Sequence, residues 1–151
     1  MNDAEKKIVA NIKKHGCHVT SVFDNRGESP SFTYSTGILA SFCAPEVIIV
    51  GLPNKLASSV VNNYMRRVRD GEIFELGSFY PDFLSGFDVT FKEVSSLSKQ
   101  EYLLSCCWYY NDKFEAVQLI FPTTSGIWPW DPEADSDFHE IQPCLSENSS
   151  W

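Results

Sequence analysis

Apolar positions recur along the chain with helical spacing in some stretches and with strict alternation in others. Over residues 3–15, Ala4, Ile8, Val9 and Ile12 form one helical stripe. Asn2 with Glu5 three positions later reads as a capping box, and Gly16 after Lys13–His15 as a stop. "CHVTSVF" (17–23) is rich in β-branched residues and predicts a strand, and "DNRGESPS" (24–31) is a turn cluster. "FTYSTGIL" (32–39) alternates, with Phe32, Tyr34, Thr36 and Ile38 on one side and Thr33, Ser35 and Gly37 on the other. "EVIIVGL" (46–52) is a continuous apolar run, which predicts a strand covered on both faces.

Pro53 opens a second helix and Gly71 closes it. Leu56, Val60, Val61, Tyr64, Met65 and Val68 recur at helical spacing and are predicted to face the sheet, while Arg66, Arg67 and Arg69 suit the helix dipole. "EIFELG" (72–77) is a candidate short strand and "SFYPDFLSG" (78–86) a loop with exposed aromatics. "FDVTFKEV" (87–94) alternates, with Phe87, Val89 and Phe91 inward. Ser98 with Glu101 marks the start of a third helix reaching about Tyr110, and "FEAVQLIFP" (114–122) is the last strand. Strands outnumber helices, and the early connections are too short for a crossover helix. The expected fold is therefore α+β, an antiparallel-dominated mixed sheet with two or three helices packed on it. A partly closed β-barrel with helices is the alternative. Residues 1–151 read as one domain with an irregular acidic C-terminal segment, 123–151.

Composition narrows this picture without changing it. With 43% hydrophobic residues the chain has the material for a core, which excludes wholesale disorder. No run approaches the roughly 20 apolar residues of a membrane span, and the charged, amphipathic N-terminus is unlike a secretory signal. A cytoplasmic location is expected. The five cysteines are odd in number and lie mostly among apolar neighbours, so buried thiols are expected rather than a disulfide framework. No C-x-x-C or C-x-x-H spacing accompanies His15, His18 and His139, so no metal site or cofactor is expected. Charge is the asymmetric property. All 12 Lys and Arg lie in residues 1–113, whereas Glu115, Asp131, Glu133, Asp135, Asp137, Glu140 and Glu147 follow with no Lys or Arg. This block repels nucleic acid and membrane surfaces and favours a basic partner.

Catalytic patterns are missing: there is no G-x-S-x-G, Walker loop, G-x-G-x-x-G or H-E-x-x-H. Cys17 and His18 adjoin in an alternating strand, so their side chains diverge. Two places remain as a candidate pocket. In "FTYSTG", Tyr34 and Thr36 share a face and Gly37 permits close approach. In "IFPTTSGIWPWD", Pro129 holds Trp128 and Trp130 extended, so both indoles project to one side. Gln118 on the last strand completes the set. The simpler reading gives the two tryptophans to the core, buried against strand 114–122.

The ordered motifs "HGCHVTSV", "FTYSTGI", "PEVIIVGLP", "VRDGE", "AVQLIFP", "WPWD" and "IQP" resemble the bacterial domain-of-unknown-function 4262 family over residues 10–145. Cys17 stands where an aromatic residue is usual, Phe121 where Trp is frequent, and Thr123 where Asp is frequent. A catalytic role for that Asp would be lost here. The resemblance implies a small α+β domain and brings no reaction, cofactor or substrate. Residues 32–52 also resemble the suppressor-of-fused-like domains, some of which are similar to toxin-immunity proteins.

Three functions follow as expectations. The first is a non-enzymatic immunity or inhibitor protein that neutralises a basic bacterial toxin, with Asp131, Glu133, Asp135, Asp137 and Glu140 as its contact surface. The second is an enzyme or small-molecule-binding domain with a pocket formed by Tyr34, Thr36, Gly37, Gln118, Trp128 and Trp130. The third is a dimeric structural module; no sequence feature sets the oligomeric state.

Overall fold

The computed structural model describes residues 1–148 and 150–151; Ser149, in the predicted segment 123–151, lies outside the described residues. Helix α1 (Asp3–His15) leads into β1 (His18–Val22), β2 (Phe32–Thr36), α2 (Ile38–Phe42), β3 (Glu46–Val50) and α3 (Asn54–Arg69). The hairpin β4 (Phe79–Leu84) and β5 (Phe87–Glu93) follows, then α4 (Ser96–Tyr102), α5 (Leu104–Tyr110), β6 (Ala116–Ile120) and α6 (Ser136–Ile141). The strands form one open sheet in the order β1-β2-β3-β6-β5-β4. Among the described residues only β3 and β6 pair in parallel; the other four pairings are antiparallel. The fold is α+β with a mixed, antiparallel-dominated sheet. β1 and β4 form its two outer edges, so the barrel alternative does not form.

The two central strands explain the continuous apolar runs. Every residue of β3 and of β6 is buried. On one face, Val47, Ile49, Val117 and Leu119 pack with Val60, Val61, Tyr64 and Phe91 beneath α3. On the other, Ile48, Val50 and Ala116 pack with Tyr34, Leu103, Cys106 and Leu145 beneath α5 and the C-terminal segment. Burial of a strand on both faces removes the need for polar alternation.

Several local expectations are corrected. Six helices form among the described residues rather than two or three, because short turns are wound into the loops. β2 stops at Thr36 instead of reaching residue 39: Gly37 takes φ 110° and turns the chain into α2, which removes Ile38 from the strand alternation. Residues 72–77 are not a strand. Gly77 at φ 81° breaks the run, and the strand begins two residues later, where Phe79 and Tyr80 pair with Thr90 and Val89. The predicted loop 78–86 is thus an edge strand, kept irregular by a register shift between Tyr80 and Leu84. Its partner buries Val89 and Phe91 but leaves Phe87 only half-buried. The predicted helix from Ser98 is two helices joined at Leu103, and its cap is Ser95, whose Oγ accepts from Ser98 N–H at 3.1 Å. On α3, Ala57 takes the buried position and Leu56 is 42% exposed.

Candidate interaction site

Pro122 ends β6, and the chain reverses in a tight turn. Thr123 N–H donates to Ile127 O at 2.8 Å, and Ile127 N–H donates to Thr123 Oγ1 at 3.1 Å. Gly126 supplies the positive φ of 84° that this reversal needs. The following Trp-Pro-Trp-Asp run closes on itself: Trp128 N–H donates to Asp131 Oδ2 at 2.8 Å, and Asp131 N–H to Trp128 O at 3.0 Å. Trp128 and Trp130 therefore stack, with ring centroids 5.0 Å apart and planes 9° from parallel.

The indoles do project together, but not into the core. Trp128 is half-buried and Trp130 is 41% exposed. Their neighbour is Phe79 on edge strand β4, 5.1 Å from Trp128 and 6.5 Å from Trp130, and Phe79 is itself 51% exposed. Trp151 closes the cluster 6.4 Å from Trp130. The register puts Phe79 on the sheet face of Thr90 and Ile120, opposite the face on which Leu119 joins Phe91 and Phe138 in the core, so the indoles rest on the edge strand rather than in that core. Surplus aromatic area is left on the surface, where isolated residues are common but a cluster is not.

The acidic residues divide by role. Asp131 holds the Trp-Pro-Trp turn and is half-buried. Asp135 caps α6, accepting from Phe138 N–H at 2.9 Å, and α6 seats Phe138 against Phe121 with centroids 6.1 Å apart. The segment expected to be irregular thus contains a docked helix. Glu133, Asp137 and Glu140 are exposed and make no ion pair among the described residues. His139 is also exposed, with Nε2 2.6 Å from Pro129 O.

The remaining candidate pocket residues serve the core. Tyr34 is 2% exposed, and its hydroxyl accepts from Ser105 N–H at 3.0 Å. Thr36 Oγ1 lies 3.4 Å from Cys106 Sγ. A methyl group on Gly37 would lie 2.7 Å from Ile12 Cγ1, so the space left by this glycine is taken by α1. Gln118 spans to the C-terminal segment, donating to Pro143 O at 2.8 Å and accepting from Leu145 N–H at 3.0 Å. Tyr34, Thr36, Gly37 and Gln118 do not line the groove beside Trp130. The groove of about 1030 Å³ beside Trp130 is lined instead by β5, α4 and residues 146–148.

The residue that sequence reasoning passed over is Glu46. Its carboxylate is fully buried at the start of α2. Oε1 accepts from Ser35 Oγ at 2.7 Å and Ile38 N–H at 3.2 Å, and Oε2 from Gly37 N–H at 3.0 Å and Leu39 N–H at 3.1 Å. The Tyr110 hydroxyl donates to Oε2 as well. Burial raises the Glu46 pKa, while these donors oppose the rise. The same burial, with Glu46 nearby, pushes the Cys17 thiol up to about 11 and raises that of Cys106. These thiols stay protonated at neutral pH, the wrong state for nucleophilic attack. The only available signal was a lone acid opening the apolar run "EVIIV". All five cysteines are free, and no group of three or more metal-ligating side chains gathers among the described residues. No helix among them is long and apolar enough to cross a membrane.

Comparison with curated proteins and with solved structures gives no match. The model of the domain of unknown function DUF4262 matches residues 11–135, which run from α1 through the Trp-Pro-Trp turn to the cap of α6. The chain belongs to the DUF4262 family.

Proposed function

We propose that this chain is a non-enzymatic binding protein that captures a basic protein partner, acting as an immunity or inhibitor protein against a bacterial toxin. One observation carries the reading: an aromatic cluster, exposed Phe79 and Trp130 with half-buried Trp128, is followed in the chain by exposed Glu133, Asp137 and Glu140, with no Lys or Arg after Lys113. Trp and Tyr dominate binding energy at protein interfaces because they bury large rigid surfaces at little entropic cost. Surrounding carboxylates speed the encounter with a basic surface.

The experiment is capture from the native host with the tagged chain, identification by mass spectrometry, then kinetics on the purified pair. Glu133→Gln, Asp137→Asn and Glu140→Gln together should slow association roughly tenfold at low salt, with the difference shrinking as salt rises. Asp135 is left unchanged because it caps α6. Trp130→Ala should instead speed dissociation. If neither rate moves for the captured partner, this surface is not where it binds.

A further inference from the structure

We propose that the groove beside Trp130 takes a short basic segment of the protein partner, with an arginine or lysine side chain against the exposed Trp130 ring. This rests on the binding reading above and specifies what the surface grips. The groove, of about 1030 Å³, has Thr90 and Lys92 of β5 in its lining and lies between α4 and Trp130. Four large apolar side chains stand exposed around it: Leu76 (53%), Phe79 (51%), Leu97 (80%) and Trp130 (41%). That volume is at or above the range of small-molecule sites, and an open groove of this size suits a few residues of polypeptide.

Its charges decide the sign of the occupant. Both lysines in the lining are already engaged by neutral groups of the protein. Lys92 Nζ lies 3.7 Å from Cys144 Sγ and 5.5 Å over the Trp151 ring. Lys99 Nζ donates to Phe114 O at 2.8 Å and sits 5.3 Å over the Phe114 ring. Glu93, Glu101 and Glu147 also line the groove, are exposed, and make no ion pair among the described residues. The lining thus holds three carboxylates against two ammonium groups, an excess of one negative charge, and the carboxylates are the more exposed, beside an indole whose face attracts cations. A segment mixing Arg or Lys with Leu matches both the carboxylates and the apolar rim.

The test uses the full chain and three synthetic hexapeptides with blocked ends, alternating Arg-Leu, Glu-Leu and Ser-Leu, titrated by calorimetry. The Arg-Leu peptide should bind with one-to-one stoichiometry, and the other two should not. Glu93→Gln, Glu101→Gln and Glu147→Gln together should weaken it roughly tenfold or more, as should Trp130→Ala. These positions are exposed, and circular dichroism checks that each variant is folded. A control variant, Glu28→Gln, Asp112→Asn and Glu115→Gln, changes net charge equally at exposed sites outside the groove and should bind as wild type. Equal weakening in the control would mean non-specific attraction to an acidic protein and overturn the inference, as would preference for the Glu-Leu peptide. If the captured partner depends on Trp130 while no peptide binds, the groove inference fails and the binding reading survives.

Discussion

Glu46 shows how one side chain can organise a junction. Its two oxygens satisfy three successive backbone N–H groups from Gly37 to Leu39, which would otherwise be orphaned at the start of a five-residue helix. Glu46→Ala should destabilise the fold by about 3–5 kcal/mol in urea unfolding, because it strands those donors inside the protein. Glu46→Gln keeps an acceptor but turns an NH₂ toward the same donors, so a smaller loss is expected. The pH dependence has a definite sign. A pKa raised by folding means that the native state holds the proton more tightly than the unfolded chain, so its contribution is present at low pH and lost as pH rises. The stability of wild type relative to Glu46→Gln should therefore fall as pH rises above about 4.3, the usual value for a free glutamate. A flat difference across that range would contradict the assignment. The cysteines offer a separate check: exposed Cys43 should be the first to react with a thiol reagent in the native protein, and Cys43→Ser should remove that fast phase.

Several elements in this fold are short, and their stability comes from what they dock against. α6 has six residues, below what stands alone in water, so its persistence depends on the Asp135 cap and on Phe138. Asp135→Ala should cost about 1 kcal/mol and Phe138→Ala about 3–5 kcal/mol, both read from denaturant midpoints. Arg67 plays the corresponding role for the β4 edge. Its guanidinium donates to both Glu72 carboxylate oxygens and to Pro81 O at 3.0 Å, and stacks 4.2 Å over Phe83. Sequence reading gave this arginine to the helix dipole, because nothing in the local pattern says that residues 72 and 81 return to it. Arg67→Lys keeps the charge and loses the planar fork, so it should still destabilise by about 1 kcal/mol. The same non-local return explains why 78–86 reads as a loop. Pro81 and Asp82, the latter at φ 72°, are turn signals in sequence, yet β5 recruits the residues on either side.

At the scale of the whole molecule, burial is concentrated at the centre of the sheet. β3 and β6 are covered on both faces, whereas β1 and β4 each have one unpaired edge. Native-state hydrogen exchange should find the slowest amides in β3 and β6 and faster ones at both edges. Equal protection at β4 would point to a further element covering that edge.

The amino-acid pattern by itself determined the α+β class, the capping of α1, the apolar stripe of α3 and the double burial of β3. Each of these rests on periodicity within one segment, where the physics is local. The likeness to the DUF4262 family was legible for a related reason, since motif order is a property of the linear chain. Tertiary structure alone decided the parallel join of β3 to β6, the burial of Glu46 and the exposure of Trp130 beside half-buried Trp128. The Trp-Pro-Trp spacing set both indoles to one side, but whether that side meets core or water depends on which face of the sheet it meets. Leu119, Phe91, Phe121 and Phe138 make the core on one face, while Phe79, Thr90 and Ile120 share the other, where the indoles come to rest on Phe79 at the sheet edge. Competition for a common interior is settled by the whole chain at once, and no single stretch records its outcome.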